Sequence, residues 1–168
     1  GRSDGQTLVT VRVGDHTATL PVQVSGFAEY PPVHFANDVV PLLSKLGCNS
    51  GGCHGRAAGQ NGFKLSVFGF DPSADYEAIT KEGRARRIFL ASPQRSLLLT
   101  KPTAQVPHGG GKRIEEGSAD FELLHQWIRQ GLPIGSNDAP TLVSLRVIPS
   151  ERMLFFNDRQ QIQATAVY

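Results

Sequence analysis

The sequence predicts a mainly α domain carried between two stretches of β-strand. Three observations predict it. Between about Pro31 and Pro133, apolar residues recur at helical spacing in several short segments. On either side of that part, apolar and polar residues alternate instead, the period of a half-buried strand. Clusters of glycine and proline divide the central part into short helices and long loops. The expected division is therefore 1–30, a β-hairpin; 31–135, the helical domain; and 136–168, further strands.

In the first part, TLVTVRVGDHTATLPVQVSG alternates through Leu8, Val11 and Val13, then Ala18, Leu20, Val22 and Val24. Gly14-Asp15 between the runs suits a tight hairpin turn. Two strands alone are marginal in water and need something to lie on. In the second part, Phe35, Val39, Leu42, Leu43 and Leu46 form a helical stripe. Pro41 belongs in a first turn, so the helix is expected to begin later than its stripe, and Gly47 is placed to end it. SADYEAI predicts a second helix with Ser73 as N-cap. SPQRSLLLTKP predicts a short helix that stops before Pro102. The clearest helix is SADFELLHQWIRQG: Ser118 caps it, Phe121, Leu124, Trp127 and Ile128 face the core, and Gly131 and Pro133 end it. In the third part Leu142, Leu145 and Val147, then Ile162, Ala164, Ala166 and Val167, alternate about a turn at Asn157-Asp158. The chain opens and closes within strand patterns, as a segment of a longer protein does. Such cut edges invite pairing, with each other or with a second copy of the chain.

Composition narrows the function classes. Of 168 residues, 39% are hydrophobic and 19% charged, the balance of a globular chain. A net charge of +2, with no basic stripe, gives no footprint for nucleic acid. No apolar run is long enough to span a bilayer, and the first residues have no signal-peptide pattern.

The chemistry concentrates in GCNSGGCHG, Gly47 to Gly55, which holds both cysteines of the chain, Cys48 and Cys53, and His54 directly after the second. Covalent haem attachment is usually written C-x-x-C-H: two thiols for two vinyl groups, and an adjacent histidine beneath the iron. Here four residues separate the cysteines. The vinyl span is fixed, so a longer loop must bulge, and Asn49, Ser50, Gly51 and Gly52 are residues that bulge readily. A Cys48–Cys53 disulfide is the rival reading, and it leaves His54 without a role. Zinc would need a further closely spaced ligand pair, which His16, His34, His108 and His125 do not supply.

A second axial ligand is sought in the same part of the chain. The sole methionine, Met153, lies in the C-terminal strands. His34 and His125 are placed awkwardly or on a helix flank. His108, in VPHGGGKR, follows a stiffening proline and precedes three glycines that let the backbone lie close to a flat ligand. His108 is the favoured distal ligand, against an open sixth position. Haem propionates would need cations, and Arg87 and Arg113 are chosen because each adjoins an apolar segment. The apolar surround would come from Phe35, Leu42, Leu46, Phe63, Leu65, Leu98, Trp127 and Ile128. HGGGKR fails the phosphate-loop pattern, and no catalytic triad or paired-carboxylate arrangement stands out.

Taken together, the stretch from HFANDVV to DYEAI, RRIFLASPQRSLLLTKPT, VPHGGGKRI and LLHQWIRQGLP resemble the cytochrome c-like module of large exported planctomycete proteins. The resemblance covers about Val33 to Pro133. The flanks are similar, more weakly, to the end of one bacterial immunoglobulin-like domain and the start of another. This resemblance implies one haem c on Cys48 and Cys53, His54 as proximal ligand, and export to the periplasm or cell envelope. With His108 opposite, the expectation is a bis-histidine, low-spin electron-transfer module serving a redox partner or attached domains, without catalytic residues of its own. A haem sensor with an open sixth site, a peroxidase-like enzyme and a haem-free connector closed by a disulfide are the alternatives.

Overall fold

The computed structural model describes residues 3–27 and 29–168; Gly1, Arg2 and Ala28, assigned to the first part, lie outside the described residues. The chain is not mainly α. It is 25% helical and 18% strand, with much of the remainder in turns. The cause is punctuation. Glycine and proline stop each helix of the central part early, and the two flanks add paired strands.

The strands β1 (Gly5–Val13) and β2 (His16–Val24) form an antiparallel hairpin in which Val13 faces His16 across the Gly14-Asp15 turn. Gly14 takes a positive φ of 57°, which glycine supplies without a steric cost. The register pairs Val9 with Leu20 and Val11 with Ala18, so these residues share a face. Leu8 belongs to the opposite face, one residue out of step with the stripe the alternation suggests. Leu8, Val9, Val11, Val13 and Leu20 are all exposed. The second hairpin, β3 (Ser144–Ile148) and β4 (Gln163–Val167), is also exposed on both faces.

Between the hairpins, a π-helical turn at Phe35–Val39 runs directly into α1 (Val40–Lys45). Winding thus starts at the first residue of the stripe, earlier than Pro41 suggests. The wide turn lets Pro41 fall in the first turn of α1, where no amide donor is missed. The imidazole of His34 caps the turn by accepting the Asn37 amide. Helix α2 (Pro72–Thr80) is capped by Asp71, not Ser73: the Asp71 carboxylate accepts the Ala74 amide and Pro72 takes the first helical position. A tight turn at Pro93–Arg95 leads to α3 (Leu97–Thr100). Helix α4 (Ala119–Arg129) starts at Ser118, whose hydroxyl accepts the Phe121 amide, and ends before Gly131 at φ 81°.

Every buried apolar residue among the described residues falls between Val33 and Leu132. Trp127 is fully buried at the centre. Its ring lies 5.3 Å from that of Phe35, and its indole N–H donates to the Pro133 carbonyl. Phe35 in turn meets Tyr76 edge to face at 5.3 Å, and the Tyr76 hydroxyl donates to the Leu132 carbonyl. Aromatic bodies fill the core while their polar tips fix the chain leaving α4. No helix among the described residues is long and apolar enough to cross a membrane.

Candidate functional site

The segment from Gly47 to Gly55 folds as a knot of turns directly after α1. Gly47 leaves the helix at φ 71°. The amide of Cys48 donates to Leu43, that of Cys53 to Ser50, and that of His54 back to Cys48, each at 2.8–2.9 Å. Asn49 pins the knot to the core. It is fully buried, donates its side-chain amide to the Ser44 hydroxyl, and accepts the Phe68 amide on its backbone carbonyl. Its side-chain oxygen has no hydrogen-bond partner among the described residues. Gly55 must be glycine, because a Cβ there would stand 2.1 Å from the Asn49 carbonyl oxygen. Gly51 and Gly52 meet nothing and form the exposed outer bulge.

Cys48 and Cys53 are free thiols, each partly buried. Burial, with the neighbouring Cys53 adding to it, pushes the Cys48 thiol up to about 11, against a smaller opposing pull from Arg113. Cys48 is therefore protonated at neutral pH, which disfavours thiolate-driven disulfide exchange.

His54 is oriented by its surroundings. Its Nδ1 is 3.1 Å from the Phe63 carbonyl, so Nδ1–H donates and Nε2 is left with a free lone pair. The Phe63 ring lies 4.5 Å from the imidazole, and the Leu65 amide donates to the His54 carbonyl. Burial holds the imidazole below its usual range, with the nearby His108, Arg87 and Lys101 acting in the same direction and the Phe63 carbonyl opposing. A neutral imidazole is the form that binds a metal.

His108 lies close to His54. Its Nδ1 is 2.9 Å from the Gly111 carbonyl, the same arrangement as in His54, and again Nε2 is free. The two rings lie 6.4 Å apart, centre to centre, with planes only 9° from parallel. The loop is braced locally: Lys101 donates to the Pro107 carbonyl and the Arg113 Nε to that of Gly110. Gly110 sits against the His108 ring, where a Cβ would come within 3.0 Å of it.

The other histidines are engaged elsewhere. His34 uses both nitrogens, accepting from Asn37 and donating to the Ser136 carbonyl. It lines a cleft of about 800 Å³ with Pro32, Ile134 and Pro140, where the chain enters and leaves the central part. His125 lies against Phe121 on α4, within 3.7 Å of Glu122. His16 belongs to the exposed β2.

Arg87, expected to pair with a propionate, is turned into the core. Only 5% exposed, it donates from Nη1 to the Ala78 and Glu82 carbonyls and from Nη2 to Gly62. Arg113 is exposed, and its Nη nitrogens make no hydrogen bond among the described residues. Of the expected apolar surround, Phe35, Leu42, Leu65, Leu98, Trp127 and Ile128 are buried in the common core, with Leu46 and Phe63 packed on it. Asp75, which sequence reasoning passes over, is buried and binds both the amide and the hydroxyl of Ser66, holding the segment that reaches Asn49. Its place in the first turn of a helix, where an acidic residue is ordinary, gave no signal of this.

Two imidazoles bound on opposite sides of one metal, each nitrogen about 2 Å from it, have ring centres about 6 Å apart. The His54–His108 pair meets that spacing with its free nitrogens available. The cysteines do not join the histidines in a compact ion site: no cluster of three or more His, Cys, Asp or Glu side chains suited to one ion occurs among the described residues. No protein-family model, curated protein or solved structure matches this chain.

Proposed function

We propose that the central part of the chain is a monohaem c-type electron-transfer module. The observation that carries this is the pair of near-parallel imidazoles 6.4 Å apart, each with Nδ1 held by a backbone carbonyl, beside two free thiols. Cys48 and Cys53 would hold the haem as thioethers, with His54 and His108 as its iron ligands and the free Nη nitrogens of Arg113 available to a propionate. Bound there, haem would supply one-electron chemistry between an external donor protein and an acceptor. The chain's part is to fix both imidazoles in one tautomer and to limit water on the His54 side. Val67, Phe68 and Phe70, on the segment tied to Asn49, are exposed apolar residues suited to cover a large flat ligand. Phe68 holds a positive φ of 53° there, an uncommon conformation for a bulky residue. Two histidine ligands place the potential below that of a His/Met site. Haem c attachment implies export, and the exposed hairpins suit a module set between other domains.

The test is the absorption spectrum after expression with a haem c maturation system. Low-spin, six-coordinate bands are expected in both oxidation states, without carbon monoxide binding to the reduced form. High-spin bands with ready carbon monoxide binding would turn the reading to a sensor, and no haem absorption would overturn it.

A further inference from the structure

We propose that Arg87 is a positioning residue for His54, acting through Phe63, and that its guanidinium raises the reduction potential of the iron His54 binds. This rests on the haem reading above. The guanidinium carbon lies 4.3 Å from the centre of the Phe63 ring. That ring lies 4.5 Å from the His54 imidazole, and the carbonyl of the same residue is the acceptor for His54 Nδ1–H. Phe63 therefore touches the proximal ligand twice, by its face and by its backbone. Arg87 fixes Phe63 twice as well, by cation–π contact and by its bond to the carbonyl of the preceding residue, Gly62.

The charge itself is the unusual part. Arg87 is buried, yet none of the ion pairs among the described residues includes it. Three backbone carbonyls hold it instead, at 2.8 Å each. A glutamine amide has two N–H donors for these three carbonyls and an apolar residue none, so the guanidinium fills a structural need as well as carrying a charge. The Glu82 carboxylate acts on this charge from beyond ion-pair distance. A buried cation behind an iron ligand favours the iron state with one positive charge fewer, the ferrous state. Fixing the Nδ1 bond is the usual means by which a neighbour tunes a ligated histidine, and Arg87 adds charge to that geometry.

The experiment is spectroelectrochemical titration of the haem-loaded protein and of Arg87→Gln and Arg87→Lys, with thermal melting alongside. Arg87→Gln is expected to shift the reduction equilibrium about tenfold toward the ferric form, which is about 59 mV for one electron. Arg87→Lys keeps the charge and is expected to retain more than half of the native potential difference while melting lower. Equal melting losses in both variants with an unchanged potential would overturn the inference while leaving the haem reading intact. Unmodified protein without haem would overturn both. If Arg87→Gln fails to fold, Phe63→Leu takes its place. A lowered potential with a heterogeneous low-spin signal supports the relay, and a native potential and signal overturn it.

Discussion

The two histidines present the same chemistry from unequal foundations. Both give Nδ1–H to a backbone carbonyl and keep Nε2 free. His54 is held by the fold: its loop hangs on the buried Asn49, and its ring rests on Phe63, behind which Arg87 is buried. His108 is held within its own loop, by its bond to Gly111 and by the bonds that close the loop from Arg113 and Ile114 onto Pro102. The first ring rests on residues packed against the core, and the second on a half-exposed loop.

The largest effect should come from attacking the fixed side. Asn49→Asp places a carboxylate where the side chain is fully buried and one oxygen already lacks a partner. A loss of about 3 kcal/mol or more is expected at neutral pH, shrinking toward about pH 4 as the carboxyl protonates. Denaturant melts at the two pH values check it, and an equal loss at both would contradict the desolvation argument. On the half-exposed loop, His108→Ala should change stability of the haem-free protein by less than about 0.5 kcal/mol. In the loaded protein it should convert the iron to high spin and admit carbon monoxide, whereas His54→Ala should lower the haem yield itself. The thiols offer a milder probe. In haem-free protein, alkylation of Cys48 should stay slow at neutral pH and accelerate toward a pH of about 11, where its thiol ionises. Peptide mapping of the labelled protein reads this directly. Ser118→Ala removes the α4 cap at a cost of about 1 kcal/mol, seen as a lower melting point with an unaltered haem spectrum. Smallest of all, Leu20→Lys on the exposed hairpin should leave the melting of the central part within about 0.5 kcal/mol, because that side chain buries nothing there.

Local patterns were readable where local forces decide. The Ser118 cap, the apolar stripe of α4, the Gly14-Asp15 turn and the tight exit at Gly47 each follow from a few adjacent residues. The proximity of His108 to His54 is long-range, and no residue adjacent to either one encodes it. The remainder depends on tertiary context. The helical spacing of the central part overstated its helix, because spacing marks a buried face without telling how soon glycine or proline interrupts it. Ser73 lost the N-cap of α2 to Asp71 because Pro72 fits the first helical position. Arg87 looks like any other cation in RARR, and only the carbonyls of Ala78, Glu82 and Gly62 explain its burial. Asn49 reads as a bulge residue, although the bulge proper is Gly51-Gly52 and Asn49 is its anchor.

The most direct test of the central claim is the intact mass of the denatured protein after expression with a haem c maturation system, beside a Cys48→Ala/Cys53→Ala control. The account predicts a mass increase of one haem that survives denaturation and is lost in the control. An unmodified mass, or one lower by two hydrogens from a Cys48–Cys53 disulfide, would contradict it.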